Sequence, residues 1–181
     1  SDLSEHTQDL MEVIGLMAEG LTSREKAAVD KTILKIYKQA KNRQPLLEDL
    51  YAELHKLGQL KLCEKLEKYI SGSLADVFNS QTNIELDNRL VIFDIKDLPE
   101  SLRQIMMLII SNFVKNQVMA KPEKRLLIID EGWLLLEHEE SARFVAGLVR
   151  RARKYYLGVS IISQQANDFL KSDYGRAIAS Q

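Results

Sequence analysis

Four consecutive apolar residues, Leu126 to Ile129, run directly into two adjacent carboxylates, Asp130 and Glu131. A short run of this kind is typical of a strand that is buried on both faces of a parallel sheet. Because an unpaired carboxylate is costly to desolvate, the two acids cannot continue into the core. We therefore expect them at the carboxyl end of the strand, which is the edge where open α/β sheets bind ligands.

The stretch from Arg125 to Trp133 allows two interpretations. In nucleotide hydrolases the same pattern is the Walker B motif, in which the Asp holds Mg²⁺, directly or through a water, and the Glu polarises the attacking water. The alternative is a core strand that simply ends in a surface Asp130–Glu131 pair. The nine residues alone do not decide between the two interpretations, so the decision depends on the rest of the chain.

A polar, turn-like stretch at 73–83 separates two kinds of sequence pattern. After this stretch, short β-branched runs alternate with long amphipathic ones, and a strand, a long helix and a second strand form a parallel βαβ unit. The pattern predicts strands at 90–95, 126–130 and 157–162, and helices at 100–119, about 139–156 and within 166–181. The fold class predicted for residues 75–181 is therefore α/β, with a partial parallel sheet flanked by helices.

The first 74 residues predict an all-helical domain with almost no strand signal. Apolar residues recur at helical spacing, Gly20 stops the first helix, and Thr22 with Glu25 forms a capping box for the second. The predicted helices cover 2–19, Thr22 to Ala40, 46–57 and 60–71. A helix-turn-helix DNA-binding domain is an alternative, but the even charge balance and the lack of a basic recognition helix favour a plain helical subdomain.

Composition excludes several classes of protein. A formal net charge of −1 gives no overall basic field to attract nucleic acid or a membrane surface. Cys63 is the only cysteine, so neither a disulfide framework nor a cysteine-based zinc site is possible, and the three histidines lack metal-binding spacing. No apolar run approaches the ~18 residues of a membrane span, and we expect a soluble chain.

Polar side chains follow two neighbouring strands of the predicted sheet. Gln164 and Gln165 end the third strand, as Asp130 and Glu131 end the second. Because parallel strands share one carboxyl edge, we expect these groups to lie on a common rim. A glutamine at this rim can hydrogen-bond both a γ-phosphate oxygen and the attacking water.

A basic cluster, Arg150 to Lys154, lies between these two polar pairs in the sequence, at the end of a predicted helix. An arginine can neutralise the charge that develops on a transferred phosphoryl group. Each group also has a simpler interpretation. Cations at a helix C-terminus complement the helix dipole, and Gln164 can satisfy loop backbone groups. Trp133 is more typical of a packing residue than of a base-stacking platform, and Asp94 either supports a magnesium site or is a structural acid.

Taken together, the spacings are more specific than the separate motifs. Two stretches resemble the large ATPases of conjugative type IV secretion systems. They are Leu-Leu-Ile-Ile-Asp-Glu-Gly-Trp-Leu-Leu-Leu from residue 126 and Arg-Arg-Ala-Arg-Lys-Tyr-Tyr-Leu-Gly-Val-Ser-Ile-Ile-Ser-Gln-Gln from residue 150. These ATPases are the TraC-like, VirB-type members of the HerA–FtsK superfamily of RecA-like hexameric motors. The stretches 78–83 and 90–94 are also similar to that family, and an inserted all-helical subdomain would account for residues 1–72.

The resemblance implies a role for each matching residue. Asp130 matches the magnesium-associated Walker B aspartate, and Glu131 matches the catalytic glutamate. Gln164 matches the glutamine that senses the γ-phosphate. Arg153 matches the arginine finger that acts across the subunit interface, with Arg150 as second choice.

The resemblance also implies cofactors and partners. It implies ATP and Mg²⁺ as the ligands of the parent protein, with no other stable small-molecule substrate. It further implies a homo-hexamer in the cytoplasm, peripheral to the bacterial inner membrane, that contacts other secretion components, with DNA as a further candidate partner. Hydrolysis would drive pilus biogenesis and the transfer of DNA or protein. The alternatives are a DNA-translocating relative, such as a coupling protein or a HerA-type translocase, and a non-catalytic interaction module.

The family's phosphate loop, Gly-x-x-x-x-Gly-Lys-Ser/Thr, is missing, because none of the eight glycines is followed by Lys. That loop supplies the backbone N–H groups and the lysine that bind phosphates. We therefore expect the chain to be an excised part of a motor domain. By itself it should bind ATP weakly or not at all.

Overall fold

The computed structural model describes residues 3–40, 43–81, 88–171 and 173–180. Small parts of the predicted helices and stretches, at residues 2, 82–83, 172 and 181, lie outside these ranges. The chain divides into two units, Asp2–Asn88 and Arg89–Gln181. We describe each unit separately.

The first unit is helical, and each of its first four helices packs on a neighbour along the chain. Its core consists of apolar residues from one side of each helix, including Val29, Ile33, Leu54, Leu62 and Leu66, all of which are almost completely buried. The helices are α1 (Leu3–Met17), α2 (Ser23–Gln39), α3 (Leu47–Lys56), α4 (Leu60–Leu66) and α5 (Ala75–Phe78), and a 3₁₀ turn at Glu67–Tyr69 continues α4. The four predicted helices are therefore confirmed.

The connection between α1 and α2 follows from its sequence. Gly20 has a φ of 101°, and its N–H donates to the carbonyl of Gly15 at 2.8 Å, which ends α1. The Thr22 Oγ1 accepts from the Glu25 N–H at 3.3 Å, and the Glu25 carboxylate accepts from the Thr22 N–H at 2.8 Å. The predicted capping box is thus confirmed. The bond from the Thr22 backbone also holds the pKa of the Glu25 carboxyl below its usual value.

Helix α5 lies with the helical unit. The Phe78 ring packs edge-on against Tyr69, with ring centroids 5.2 Å apart. The Asn79 side-chain oxygen accepts from the Glu48 N–H at 3.1 Å, at the start of α3. Residues 75–81 therefore pack on the helices, and the division between the units falls after Asn88 rather than after residue 74.

The second unit contains a βαβ arrangement. Its elements are α6 (Glu100–Ala120), β1 (Arg125–Ile129), α7 (Glu139–Ala152), β2 (Leu157–Ile161), α8 (Asn167–Leu170) and α9 (Asp173–Ala179). The two strands are parallel, in a register that runs from Arg125 opposite Leu157 to Ile129 opposite Ile161. The predicted α/β class and the strands 126–130 and 157–162 are confirmed.

The sheet is buried on one face. On that face Ile129 and Leu157 are buried, and α7 packs on β2. On the opposite face Leu126 and Ile128 remain 66% and 58% exposed. The expectation that β1 is buried on both faces is therefore wrong for the part of the chain that the structure describes, because a central strand needs packing elements on each side.

The predicted strand at 90–95 is absent. The segment has no regular secondary structure, although its exposure alternates as in a strand: Leu90 and Ile92 are exposed, whereas Val91 and Phe93 are partly buried. However, it joins no backbone ladder within the described residues, where the sheet contains only β1 and β2. A strand requires a hydrogen-bonding partner, so the local pattern alone was insufficient.

Within the described ranges, no helix is both long enough and apolar enough to cross a bilayer.

Candidate functional site at the carboxyl edge of the sheet

The ends of β1 and β2 are joined by backbone hydrogen bonds. The Ile162 N–H donates to the Ile129 carbonyl at 2.8 Å, and the Gly132 N–H donates to the Ile162 carbonyl at 2.8 Å. These bonds continue the parallel pairing past the last strand residues. They bring the segments that carry Glu131 and Gln164 side by side.

Glu131 has a left-handed backbone conformation, with φ 52° and ψ 36°. This region is uncommon for residues other than glycine and costs roughly 1–2 kcal/mol. The Glu131 N–H donates to the Asp130 Oδ1 at 3.0 Å, which stabilises the sharp turn. The turn directs the chain from β1 into a 3₁₀ helix at Gly132–Leu135. Unfavourable backbone geometry of this kind is concentrated at functional sites.

Gly132 is required by close packing. A Cβ atom at this position would lie 2.1 Å from the Ile161 Cγ2 and 3.5 Å from the Ile162 carbonyl oxygen. The missing side chain therefore lets the turn after β1 approach the end of β2. Without this approach, Glu131 would not lie beside Gln164.

The Glu131 carboxylate accepts one hydrogen bond on each oxygen. The Trp133 indole Nε1 donates to Oε2 at 2.6 Å. The Gln164 Nε2 donates to Oε1 at 3.1 Å, across 33 residues of sequence. The structure thus brings together the two predicted residues Glu131 and Gln164, whereas Gln165 has no contact with Glu131.

Asp130 is exposed at the same edge. Its Oδ1 accepts from the Glu131 N–H, and its Oδ2 has no partner among the described residues. Neither Asp130 nor Glu131 is paired with a cation in the described ranges. No group of three or more His, Cys, Asp or Glu gathers there either. Mg²⁺ is often held by one or two carboxylates together with substrate phosphates, and an exposed, unneutralised Asp130 fits this mode of binding.

Comparisons with known proteins give the family and the fold of the chain. Residues 21–178 match the model of the TraG P-loop domain. The chain belongs to the TraG P-loop domain family. The resemblance to the ATPases of conjugation and type IV secretion, inferred from the sequence, is confirmed at this level.

The fold is also similar to that of a solved structure, VirB4 of Thermoanaerobacter pseudethanolicus, with a TM-score of 0.85 at 23% sequence identity. The match covers 97% of this chain and 54% of the VirB4 chain, so the chain spans about half of that protein's length. It confirms the predicted fold class, a partial RecA-like α/β unit preceded by helices. A comparison with curated proteins found no match.

The basic cluster of this TraG-family chain lies at the opposite edge of the sheet. Arg153 begins a 3₁₀ turn, Arg153–Tyr155, which directly precedes β2, whereas Gln164 follows the far end of that strand. Five strand residues separate the two edges by roughly 16 Å. The guanidinium groups of Arg150 and Arg153 are exposed, and the Arg151 Nε donates to the Gly147 carbonyl at 3.1 Å. Arg153 therefore lies at the edge of the sheet opposite Glu131 and Gln164 of its own chain.

Asp94 has a local role in this structure. Its Oδ1 accepts from the Lys96 N–H at 3.1 Å, and its Oδ2 lies 3.7 Å from the Lys96 ammonium. Of the two interpretations that the sequence allows for Asp94, these contacts agree with a structural acid. Nothing in the contacts of Asp94 connects it to Asp130.

The sequence interpretation missed the roles of Trp133 and Gly132. The sequence favours a packing role for Trp133, but in the structure its indole N–H binds the candidate catalytic carboxylate. A tryptophan two residues after a candidate catalytic acid has a donor within reach of it, so the spacing was a usable signal. Gly132 gave no such signal, because its proximity to Ile161 arises only in the folded chain.

Proposed function

We propose that this chain is part of an ATP-hydrolysing motor of a conjugation or type IV secretion system. One observation carries the proposal: Glu131 Oε1 and Gln164 Nε2, from the ends of adjacent parallel strands, lie 3.1 Å apart. Membership in the TraG P-loop domain family supports a nucleotide as the ligand. ATP hydrolysis by this motor would drive pilus biogenesis and the transfer of DNA or protein.

In this proposal, each rim residue has a separate task. Glu131 orients and polarises the attacking water, since a carboxylate at the strand end can accept its proton. Gln164 hydrogen-bonds the γ-phosphate through its amide, which needs no change of protonation. Asp130 holds Mg²⁺ directly or through a water, and the bound metal would neutralise charge on the transferred phosphoryl group.

The phosphates require a further element. The 181 residues contain no Gly-Lys pair, so the proposal needs a phosphate loop from another part of the protein. We propose a homo-hexamer at the cytoplasmic face of the inner membrane that contacts other secretion components. The long fold match to VirB4, which includes the helical unit, supports a motor of similar construction.

Replacing Gln164 with Ala tests the proposal in the full-length protein. The loss of one hydrogen bond to a charged group should lower ATP turnover by about 10- to 100-fold. Gln165→Ala is the matched control, because this exposed neighbour makes no side-chain contact with Glu131. Steady-state phosphate release gives the measurement. Equal turnover in both variants would contradict the role of Gln164.

Arg153 is proposed to act on the site of a neighbouring subunit, because it lies at the opposite edge of its own sheet. Arg153→Ala hexamers and Glu131→Gln hexamers should each hydrolyse ATP poorly. In mixed hexamers, a Glu131→Gln subunit can supply its intact Arg153 to the intact site of an Arg153→Ala subunit. We expect turnover to rise on mixing, because an arginine finger contributes about 10³–10⁵ in rate.

Arg151→Ala is the control for the mixing experiment, since the Arg151 Nε already binds the Gly147 carbonyl. This variant should not respond to mixing. If Arg153→Ala also shows no recovery in mixed hexamers, Arg153 is structural. Recovery with Arg150→Ala in place of Arg153→Ala would assign the finger to Arg150.

A further inference from the structure

The two hydrogen bonds to Glu131 differ in character. The bond from the Trp133 Nε1 is 2.6 Å long, whereas the bond from the Gln164 Nε2 is 3.1 Å long. Hydrogen bonds to an ionised acceptor are short and strong when the geometry is good. The Trp133 bond is therefore the stronger constraint on the carboxylate.

The surroundings of the two donors also make Trp133 the more rigidly held of the two. Trp133 is half-buried in the 3₁₀ helix Gly132–Leu135, between the buried Gly132 and the buried Leu134. A tryptophan has only two side-chain torsions, so packing on this helix fixes its N–H group. Gln164 is exposed in the loop after β2, with more freedom to change partner. One donor is fixed and the other is exchangeable.

We propose that Trp133 is a positioning residue that anchors Glu131 by its hydrogen bond to Oε2. The Oε1 atom can then replace its hydrogen bond from Gln164 with one from the attacking water. This inference rests on the proposed function of Glu131. When Gln164 turns to a γ-phosphate, Oε1 loses its partner and becomes free to accept from water. The anchor at Oε2 keeps the carboxylate in place during the exchange.

The first test uses the 181-residue chain itself and needs no enzymatic activity. Trp133 is the only tryptophan, so a ¹H–¹⁵N spectrum contains a single indole N–H signal. Glu131→Ala should shift this signal upfield and accelerate its exchange with water, because the hydrogen bond is lost. Glu137→Ala is the control, since Glu137 is exposed in the same segment, and it should leave the signal unchanged.

The second test is Trp133→Phe in the full-length protein, which removes the N–H donor and keeps an aromatic ring. We expect kcat to fall by about 10- to 100-fold, with the KM for ATP and nucleotide binding close to those of the wild type. A packing defect would instead lower thermal stability and weaken binding together. Thermal unfolding of the same variant is measured alongside.

The outcomes separate the two proposals. If the indole signal is unaffected by Glu131→Ala, or if Trp133→Phe turns over like the wild type while Glu131→Gln is inactive, the anchoring role is wrong and the proposed function stands. If Glu131→Gln retains normal turnover, the proposed function itself fails. An indole shift together with a selective loss of kcat supports the anchoring role.

Discussion

Glu131→Gln in the full-length protein is expected to reduce ATP turnover by about 10²–10⁴-fold, the usual contribution of a general base. Glutamine has the shape of glutamate, and its side-chain oxygen can still accept the hydrogen bond from the Trp133 Nε1. It cannot accept a proton from the attacking water. Nucleotide binding should therefore survive while hydrolysis stops.

Glu137→Gln is the matched control for this change. Glu137 lies two residues after the 3₁₀ helix Gly132–Leu135, is exposed, and has no contact with Gln164. Both variants lose one negative charge, so a general electrostatic effect would appear in both. Turnover and nucleotide affinity are measured on each, and normal hydrolysis by Glu131→Gln would remove this residue from catalysis.

Gly132→Ala is expected to destabilise the second unit and to impair the site at the same time. The new Cβ would lie 2.1 Å from the Ile161 Cγ2, a distance at which one of the two segments must move. Overpacking of this kind costs about 1–3 kcal/mol of unfolding free energy. The movement would also separate the Gly132 N–H from the Ile162 carbonyl and Glu131 from Gln164. Urea unfolding measures the loss.

Two further variants show whether the contact with Ile161 is the cause. Gly147→Ala adds the same methyl group inside helix α7, where only the flexible Arg151 Nη2 lies close, at 3.2 Å, and it should gain about 0.5–1 kcal/mol. In an Ile161→Ala background, Gly132→Ala should cost less than in the wild type, because the clashing methyl group is gone. Additive losses in the double variant would contradict this explanation.

Local signals in the sequence were sufficient for most of the elements. The capping box at Thr22 and Glu25 and the stop of the first helix at Gly20 were predicted correctly, because helix ends depend on residues within one turn of each other. The strands 126–130 and 157–162 and their parallel direction were also correct, whereas the βαβ unit predicted from 90–95 to 126–130 does not form in the described residues. The segment 90–95 failed, since its alternation describes a strand but cannot supply a partner for its backbone.

By itself, the sequence predicted which polar residues meet at the carboxyl edge of the sheet. The run of four apolar residues ending in Asp130 and Glu131 requires an acidic sheet edge, because carboxylates are excluded from the core. The parallel arrangement of the strands then places Gln164 at that edge. These inferences depend only on polarity and chain direction, which the sequence contains.

The tertiary structure alone decided how the carboxylate is held. The 3.1 Å bond from Gln164 to Glu131 and the close approach of Gly132 to Ile161 depend on distances between segments about 30 residues apart. It also placed Arg153 at the far edge of the sheet from Gln164. Such distances result from packing, which no local sequence pattern encodes.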